Sequence, residues 1–373
     1  MSRKLVTVGT HRSVQPDETW KRVSPFLADM GITRVSELTG LDVVGIPVFQ
    51  ATRPNGRVLS VSQGKGITAQ LAKVSAVMEA IETWHAEEAT PAAAEHTVAE
   101  LAPMLPYSVF DLPQPPRSVL SPATRLRWVQ GQTLGASDQV WLPESCVIMD
   151  NTSPDRWSPP LLQSNSNGLA SGNTVEEALL HGLYELLERD ARARAQVAGE
   201  ASELDLSTVT GSSAALLDRF ARADVWVRVH DLTALAGQPC YETLIFSAEL
   251  PVRFGGWGCH HDPDVALARA LTEAAQSRLT MIAGSRDDLP SSAYRWMLSR
   301  PRLRAPFAPS RPSCSFPPAS EVVTGLDEDL LKVTTTVKQR ATAGVYWVNL
   351  THPDFGIPVV QVIAPGLQMI RGH

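Results

Sequence analysis

Three times along this chain a glycine-containing turn runs straight into a helical pattern bearing acidic side chains, and that recurrence limits the possible folds more than any single residue does. The first stretch is 62–68, with Gly64, Lys65 and Gly66, opening into 69–88. The second is 164–174, with Gly168 and Gly172, opening into 175–195. The third is 255–263, with Gly255, Gly256 and Gly258, opening into 264–282. Thr174 is the expected N-cap of the second helix, and Asp262 followed by Pro263 gives the third a cap and a first-turn proline. A form used three times implies an internally repeated architecture. Short β-rich runs lie at 45–49, 140–143, 225–229, 243–246 and 358–363. Because strands and helices do not alternate simply, the chain is expected to be α+β, with mixed sheets covered by helices. Two proline-rich stretches, 103–122 and 300–318, read as surface connections, the second long enough to be a mobile loop or lid.

The helices carry the chemistry. In the first, Ser75, Glu79 and Glu82 are spaced four and three apart and share a face with small neighbours, Ala72, Ala76 and Ala80. The second carries Glu177, Glu185, Glu188 and Arg189, and the third Glu273, Gln276 and Arg278. Two carboxylates at ~4 Å repel by roughly 4 kcal/mol at an effective dielectric of about 20, so converging acidic helices need a cation between them. Oxygen-only ligands favour magnesium or calcium, and magnesium commonly binds through a few carboxylates together with substrate phosphates. Arg189 and Arg278 would then meet phosphate oxygens, with N–H donors of the glycine-rich helix starts beside them. A structural reading stands beside this one: Thr174 and Glu177 have capping-box spacing, and Glu185, Glu188 and Arg189 have the spacing of an exposed ion-pair ladder.

Composition narrows the partners. At 373 residues, 43% hydrophobic, the chain can bury one large core or two ordinary ones. Its 33 basic and 39 acidic side chains leave a net charge of -6, which offers no broad attraction to nucleic acid or an anionic membrane. Neither a membrane-length apolar run nor a signal-peptide core is present, which reads as cytoplasmic. Cys146, Cys240, Cys259 and Cys314 form no C-x-x-C pair, and Cys259-His260-His261 lacks the further ligands a metal site needs. Gly64-Lys65-Gly66 is not a Walker loop, since no serine or threonine follows the lysine. With no G-x-S-x-G elbow, His11, His85 and His181 have no assigned nucleophile, and His181 reads as a packed histidine.

Three ordered motifs now carry a resemblance. They are Gly64-Lys65-Gly66 with Ser75, Glu79 and Glu82; Asn167-Gly168 through Gly172-Asn173-Thr174 and Glu177 to Glu185, Glu188 and Arg189; and Asp262-Pro263 through Arg269, Glu273 and Gln276 to Arg278. Together they resemble the YcaO superfamily over about 9–366, which implies one composite domain over 1–373 with an ATP site. The resemblance implies Mg2+ ligation by Glu79, Glu82, Glu185 and Glu188. It implies ATP contacts by Arg12, Thr19, Lys65, Ser75, Asn173, Glu177 and Arg189, and catalytic roles for Arg189, Glu273, Gln276 and Arg278. The implied chemistry is ATP-dependent O-phosphorylation of a peptide backbone amide after a nucleophile has attacked its carbonyl carbon. An N-terminal run through Gly9, His11, Arg12, Gly31, Gly40 and Gly45, and a tail without alternating prolines, are similar to members that accompany a TfuA protein and install thioamides. Azoline-forming cyclodehydratases and amidine-forming relatives share the same site and stand as alternatives. A non-catalytic peptide-binding scaffold, or an accessory factor for ribosomal protein methylthiolation, is the reading from another class. The substrate would be a precursor peptide or protein, with leader recognition by a separate protein; homodimerisation is a family expectation.

Overall fold

The computed structural model describes residues 4–152, 159–199, 201–286, 307, 310–318 and 325–369. Residues 300–306, 308 and 309 of the proline-rich run at 300–318 lie outside them. Each of the three repeated segments is a strand feeding a helix. Strand β5 (Val61–Lys65) leads into α2 (Ala69–Glu88), β9 (Leu169–Ser171) into α4 (Val175–Ala198), and β13 (Phe254–Cys259) into α7 (Pro263–Ala283). The helix starts are fixed by side-chain caps: Thr68 accepts the Leu71 N–H, Thr174 the Glu177 N–H, and Asp262 the N–H groups of Asp264 and Val265. Gly199 and Gly284, at φ 66° and 59°, end the second and third helices in the left-handed conformation that glycine adopts without strain.

The sequence reading took the glycines as turns, but Gly64, Gly256 and Gly258 lie within the strands. Their role is close approach. A Cβ on Gly64 would stand 1.9 Å from the Ala76 nitrogen, and one on Gly256 would stand 2.2 Å from the Ala270 carbonyl oxygen. With alanine on the facing helix, each helix axis sits directly against its strand. Elsewhere on α2, Val77 and Ile81 are fully buried, each stabilising the fold by about 1.5–3 kcal/mol.

These units belong to three sheets. β5 is an edge of an antiparallel sheet with β3 (Arg34–Glu37) and β4 (Val48–Thr52). β9 ends a sheet ordered β6 (Ala93–Thr97), β7 (Arg125–Thr133), β15 (Tyr346–Asn349), β16 (Val359–Ile363), β9, with β8 (Gln139–Pro143) also on β7. β13 ends a sheet with β12 (Cys240–Phe246), β11 (Trp226–Asp231), β10 (Ser202–Asp205) and β14 (Cys314–Ser315). A short hairpin of β1 (Leu5–Thr7) and β2 (Thr10–Arg12) and the helix α1 (Pro16–Val23) complete the site's surroundings. The smaller helices α3 (Val98–Leu101), α5 (Gly211–Arg222) and α6 (Thr233–Ala236), and α8 (Leu326–Arg340) against α4, lie outside it. The strand expected at 45–49 begins only at Val48, because Gly45 sits at φ 69° and Pro47 has no N–H to give a ladder. No helix among the described residues is long and apolar enough to cross a membrane.

Candidate active site

Helices α2, α4 and α7 line one cavity of about 620 Å3, and they do so in the same register. The seventh, eleventh and fourteenth residues of each face it: Ser75, Glu79 and Glu82; His181, Glu185 and Glu188; Arg269, Glu273 and Gln276. Spacings of four and three place such residues in one stripe. Arg12 from β2, Thr19 from α1, Lys65 from β5, and Asn173 and Glu177 from the start of α4 close the polar side. Val58, Leu71, Val74, Met78 and Met149 give the cavity an apolar wall. Every site residue expected from sequence reaches this cavity except Arg278.

Arg278 is placed elsewhere by the geometry of its own helix. Its Nε and Nη2 donate to the Asp42 carboxylate at 2.8 and 3.1 Å, and Nη1 donates to Ser247 Oγ at 2.9 Å. Both ion-pair partners are almost fully buried, with side-chain exposures of 4% and 3%. Arg278 therefore has a structural partner and no path to a phosphate; it is not a residue of this cavity.

The acids are under electrostatic stress. Burial pushes the Glu82 carboxyl up to about 8 against two hydrogen bonds from Ser171, with Glu79 and Glu185 adding repulsion. Burial likewise pushes Glu185 up to about 7, although Arg189 opposes it. Glu79 and Glu188 are also raised by burial, with Glu273 contributing to both. For Glu273 itself burial is the largest influence, yet Lys65 and Arg189 outweigh it and hold the carboxyl low. Lys65 donates to Glu273 directly. Arg189 lies 3.1 Å from Glu188 and 3.4 Å from Glu185, and the two carboxylates raise its affinity for its proton against the effect of burial. Four carboxyls raised by burial, Glu185 to about 7 and Glu82 to about 8, are a set that a divalent oxygen-seeking cation completes, because the cation removes the cost of ionising them together. The donor set and the cavity's size thus fit Mg2+ with a nucleotide.

The far end of the stripe is an ordered polar relay. Thr19 Oγ1 donates to Asn173 Oδ1 at 2.8 Å, and Asn173 Nδ2 donates to the Glu177 carboxylate at 3.0 and 3.3 Å. Ser13 donates to the same carboxylate through N and Oγ at 2.9 and 2.6 Å, and Arg12 lies 3.7 Å away. Glu177 therefore does not close the capping box that its spacing allowed. Thr174 caps α4, but the Glu177 side chain points to the cavity residues. Gln276 donates to the Gln63 carbonyl at 2.8 Å, tying α7 to β5.

Sequence reasoning missed Arg269, Ser171 and the role of His181. Arg269 Nη2 donates to His181 Nε2 at 2.9 Å, and burial with the charges of Arg12, Arg269 and Lys65 keeps that imidazole neutral. The seventh-position register of the three helices was the available signal for Arg269 and His181, whereas Ser171 lies on β9, outside that register.

The acid-lined cavity built on three strand–helix units has a donor set suited to a divalent cation and phosphate oxygens. The family model described as YcaO cyclodehydratase, ATP- and Mg2+-binding, matches residues 63–368, and the chain belongs to the YcaO family. A Mycobacterium tuberculosis protein is 41% identical over 373 residues, spanning 96% of this chain and 83% of the relative. A Rhizobium leguminosarum bv. trifolii protein described as lying in the tfuA 3' region is 36% identical over 381 residues, covering 96% and 89%. Among solved structures, YcaO from Methanopyrus kandleri bound with AMPPCP and Mg2+ aligns over 99% of this chain and 95% of its own, with TM-score 0.75 and 23% identity. The Escherichia coli microcin synthetase McbBCD complex aligns over 89% and 87%, with TM-score 0.62 and 18% identity. These two likenesses show the shared fold.

Proposed function

We propose that this chain uses ATP and Mg2+ to activate a peptide backbone amide by O-phosphorylation, and that the product is a thioamide made with a TfuA-type partner. The observation that carries the first half is the convergence of Glu79, Glu82, Glu185 and Glu188, with raised carboxyls, around one cavity that also holds Arg189. The tfuA-region relative supports the second half.

Bound Mg2+-ATP supplies the phosphoryl group that turns an amide oxygen into a leaving group. The protein's part is to hold and to screen. The four glutamates would hold the cation, and the relay of Thr19, Asn173 and Glu177, with Arg12, would give the nucleotide fixed donors and acceptors at the α4 end. Arg189 is kept cationic by its glutamate neighbours and stands ready to stabilise charge on phosphate oxygens. Glu273 holds the Lys65 ammonium, a second cationic side chain beside Arg189, between α7 and β5. The apolar wall offers the surface on which a base or a peptide side chain can exclude solvent.

The test has two stages. Calorimetry with AMPPCP should show binding that requires Mg2+ and is lost in a folded Glu79→Ala, Glu188→Ala double variant; nucleotide binding indifferent to both would refute the site. Peptides incubated with the chain, its TfuA-type partner, ATP and sulfide are then weighed by mass spectrometry. A sulfide-dependent exchange of oxygen for sulfur supports thioamidation, whereas sulfide-independent loss of water assigns azoline formation.

A further inference from the structure

The tripeptide Cys259-His260-His261 gave no ligand set by itself, and the fold changes its meaning. Cys259 packs in the apolar core opposite Cys240 on β12. His260 and His261, at the junction between β13 and α7, instead meet His11 of β2, from the other end of the sequence. The three imidazoles each offer one nitrogen within 4.8 Å of the others. Ring centroids lie 4.9 Å apart for His11 and His260, 5.6 Å for His11 and His261, and 4.5 Å for His260 and His261.

We propose that His11, His260 and His261 form a binding site for one transition-metal ion of the zinc class, which ties the N-terminal hairpin to the start of α7. Several independent observations point to a ligand. His11 is 8% exposed, and its Nδ1 is buried without a hydrogen-bond partner. A cavity of about 20 Å3 lined by His11, His260 and Tyr184 adjoins the cluster, which is room for one water as a fourth ligand. Carboxylates stand behind two of the rings. Asp262 Oδ2 is 3.8 Å from His11 Nε2, and Asp329 Oδ1 is 3.2 Å from His261 Nδ1. Metal-binding histidines usually give their second N–H to such a carboxylate, which fixes the tautomer.

Protons compete little for these rings, while the cations that lower them, Lys4 and Arg269, oppose an incoming ion. Burial and neighbouring cations lower His11 to about 4 and His260 well below its ordinary value, so both rings are neutral and carry lone pairs at pH 7. The buried Lys4 ammonium is matched by Asp329, at 2.5 Å, which leaves Asp262 to offset an incoming cation. Imidazole nitrogens select zinc, copper, nickel or cobalt over magnesium, so this site is chemically orthogonal to the glutamate cavity. The single lone pair of neutral His260 now accepts the Asp262 N–H at 3.0 Å, and loading exchanges that hydrogen bond for the metal bond. The consequence reaches the nucleotide site, because both cavities share Arg12, Glu177, His181 and Arg269. A metal here clamps the strand carrying Arg12 against the helix carrying Arg269.

The test titrates chelator-treated full chain with Co2+, with excess Mg2+ present to occupy the glutamates. One equivalent is expected to bind with the visible absorption of nitrogen-ligated cobalt, to be displaced by Zn2+, and to raise Tm. His11→Ala and His260→Asn should each weaken binding by more than the roughly 10–100-fold that loss of an outer-shell partner costs. Circular dichroism checks that the variants fold; where one does not, the wild-type titration alone decides. Absence of the absorption, sulfur-to-metal charge transfer that assigns the ion to cysteine, or unchanged binding in a folded His11→Ala variant would each overturn the site.

Discussion

Nucleotide binding by this chain should expel protons, and the number follows from the stressed acids. At pH 7, with Glu82 at about 8 and Glu185 at about 7, roughly nine-tenths of the first and half of the second are protonated, about 1.4 protons together. A divalent cation needs those carboxylates ionised, so on binding preformed magnesium–AMPPCP these two should release about that many at pH 7 and only about 0.1 at pH 9, and the raised Glu79 and Glu188 add to the count. The same coupling tightens binding about tenfold between pH 7 and pH 8, roughly 1.4 kcal/mol. The sign for folding runs the other way. An acid whose native value lies above its unfolded value near 4.5 adds stability that is complete below that value and is lost by about pH 8, so the nucleotide-free protein should weaken as pH rises through this window. Calorimetry in buffers of different ionisation enthalpy counts the protons. Glu82→Gln, which keeps the shape but cannot titrate, should reduce the count at pH 7 by about 0.9. A count near zero in the wild type, or one that neither falls toward pH 9 nor responds to Glu82→Gln, would refute the claim that burial holds these acids protonated.

Two further outcomes test the assignments around the cavity. Arg278→Met should cost about 3–5 kcal/mol in denaturant unfolding, because it strands a buried Asp42 carboxylate, while leaving nucleotide affinity of the folded fraction unchanged; a selective loss of affinity would return Arg278 to the site. Gly64→Ala should destabilise by about 1–3 kcal/mol or more, since its Cβ meets the α2 backbone at 1.9 Å and no rotamer relieves that; unchanged Tm would contradict the close packing of β5 on α2.

How much of this was legible in the sequence depends on which physical quantity each feature needed. Helix positions follow from local capping and periodicity, and the first helix runs over 69–88 as expected. Strand glycines were misread as turns because close approach is a property of two segments, and sequence shows only one. The His11 cluster was invisible for the same reason: its ligands are about 250 residues apart and are joined only by tertiary packing. The Arg278 error is different, because local geometry already excluded it. At about 100° per residue, Arg278 stands roughly 140° around the helix from Glu273, whereas Arg269 stands roughly 40° away and Gln276 roughly 60°. Applying the four-and-three spacing of Ser75, Glu79 and Glu82 to the third helix would have selected Arg269, Glu273 and Gln276, which are the residues that line the cavity. The repeat is therefore functional as well as architectural: one register, used three times, delivers a polar residue, then an acid, then an acid or amide to the same point. On α2 and α4 the fourteenth residue is glutamate, whereas on α7 it is Gln276, held by the Gln63 carbonyl. That substitution removes one negative charge from the α7 side, where Lys65 already neutralises Glu273, and the four raised carboxyls all lie on α2 and α4.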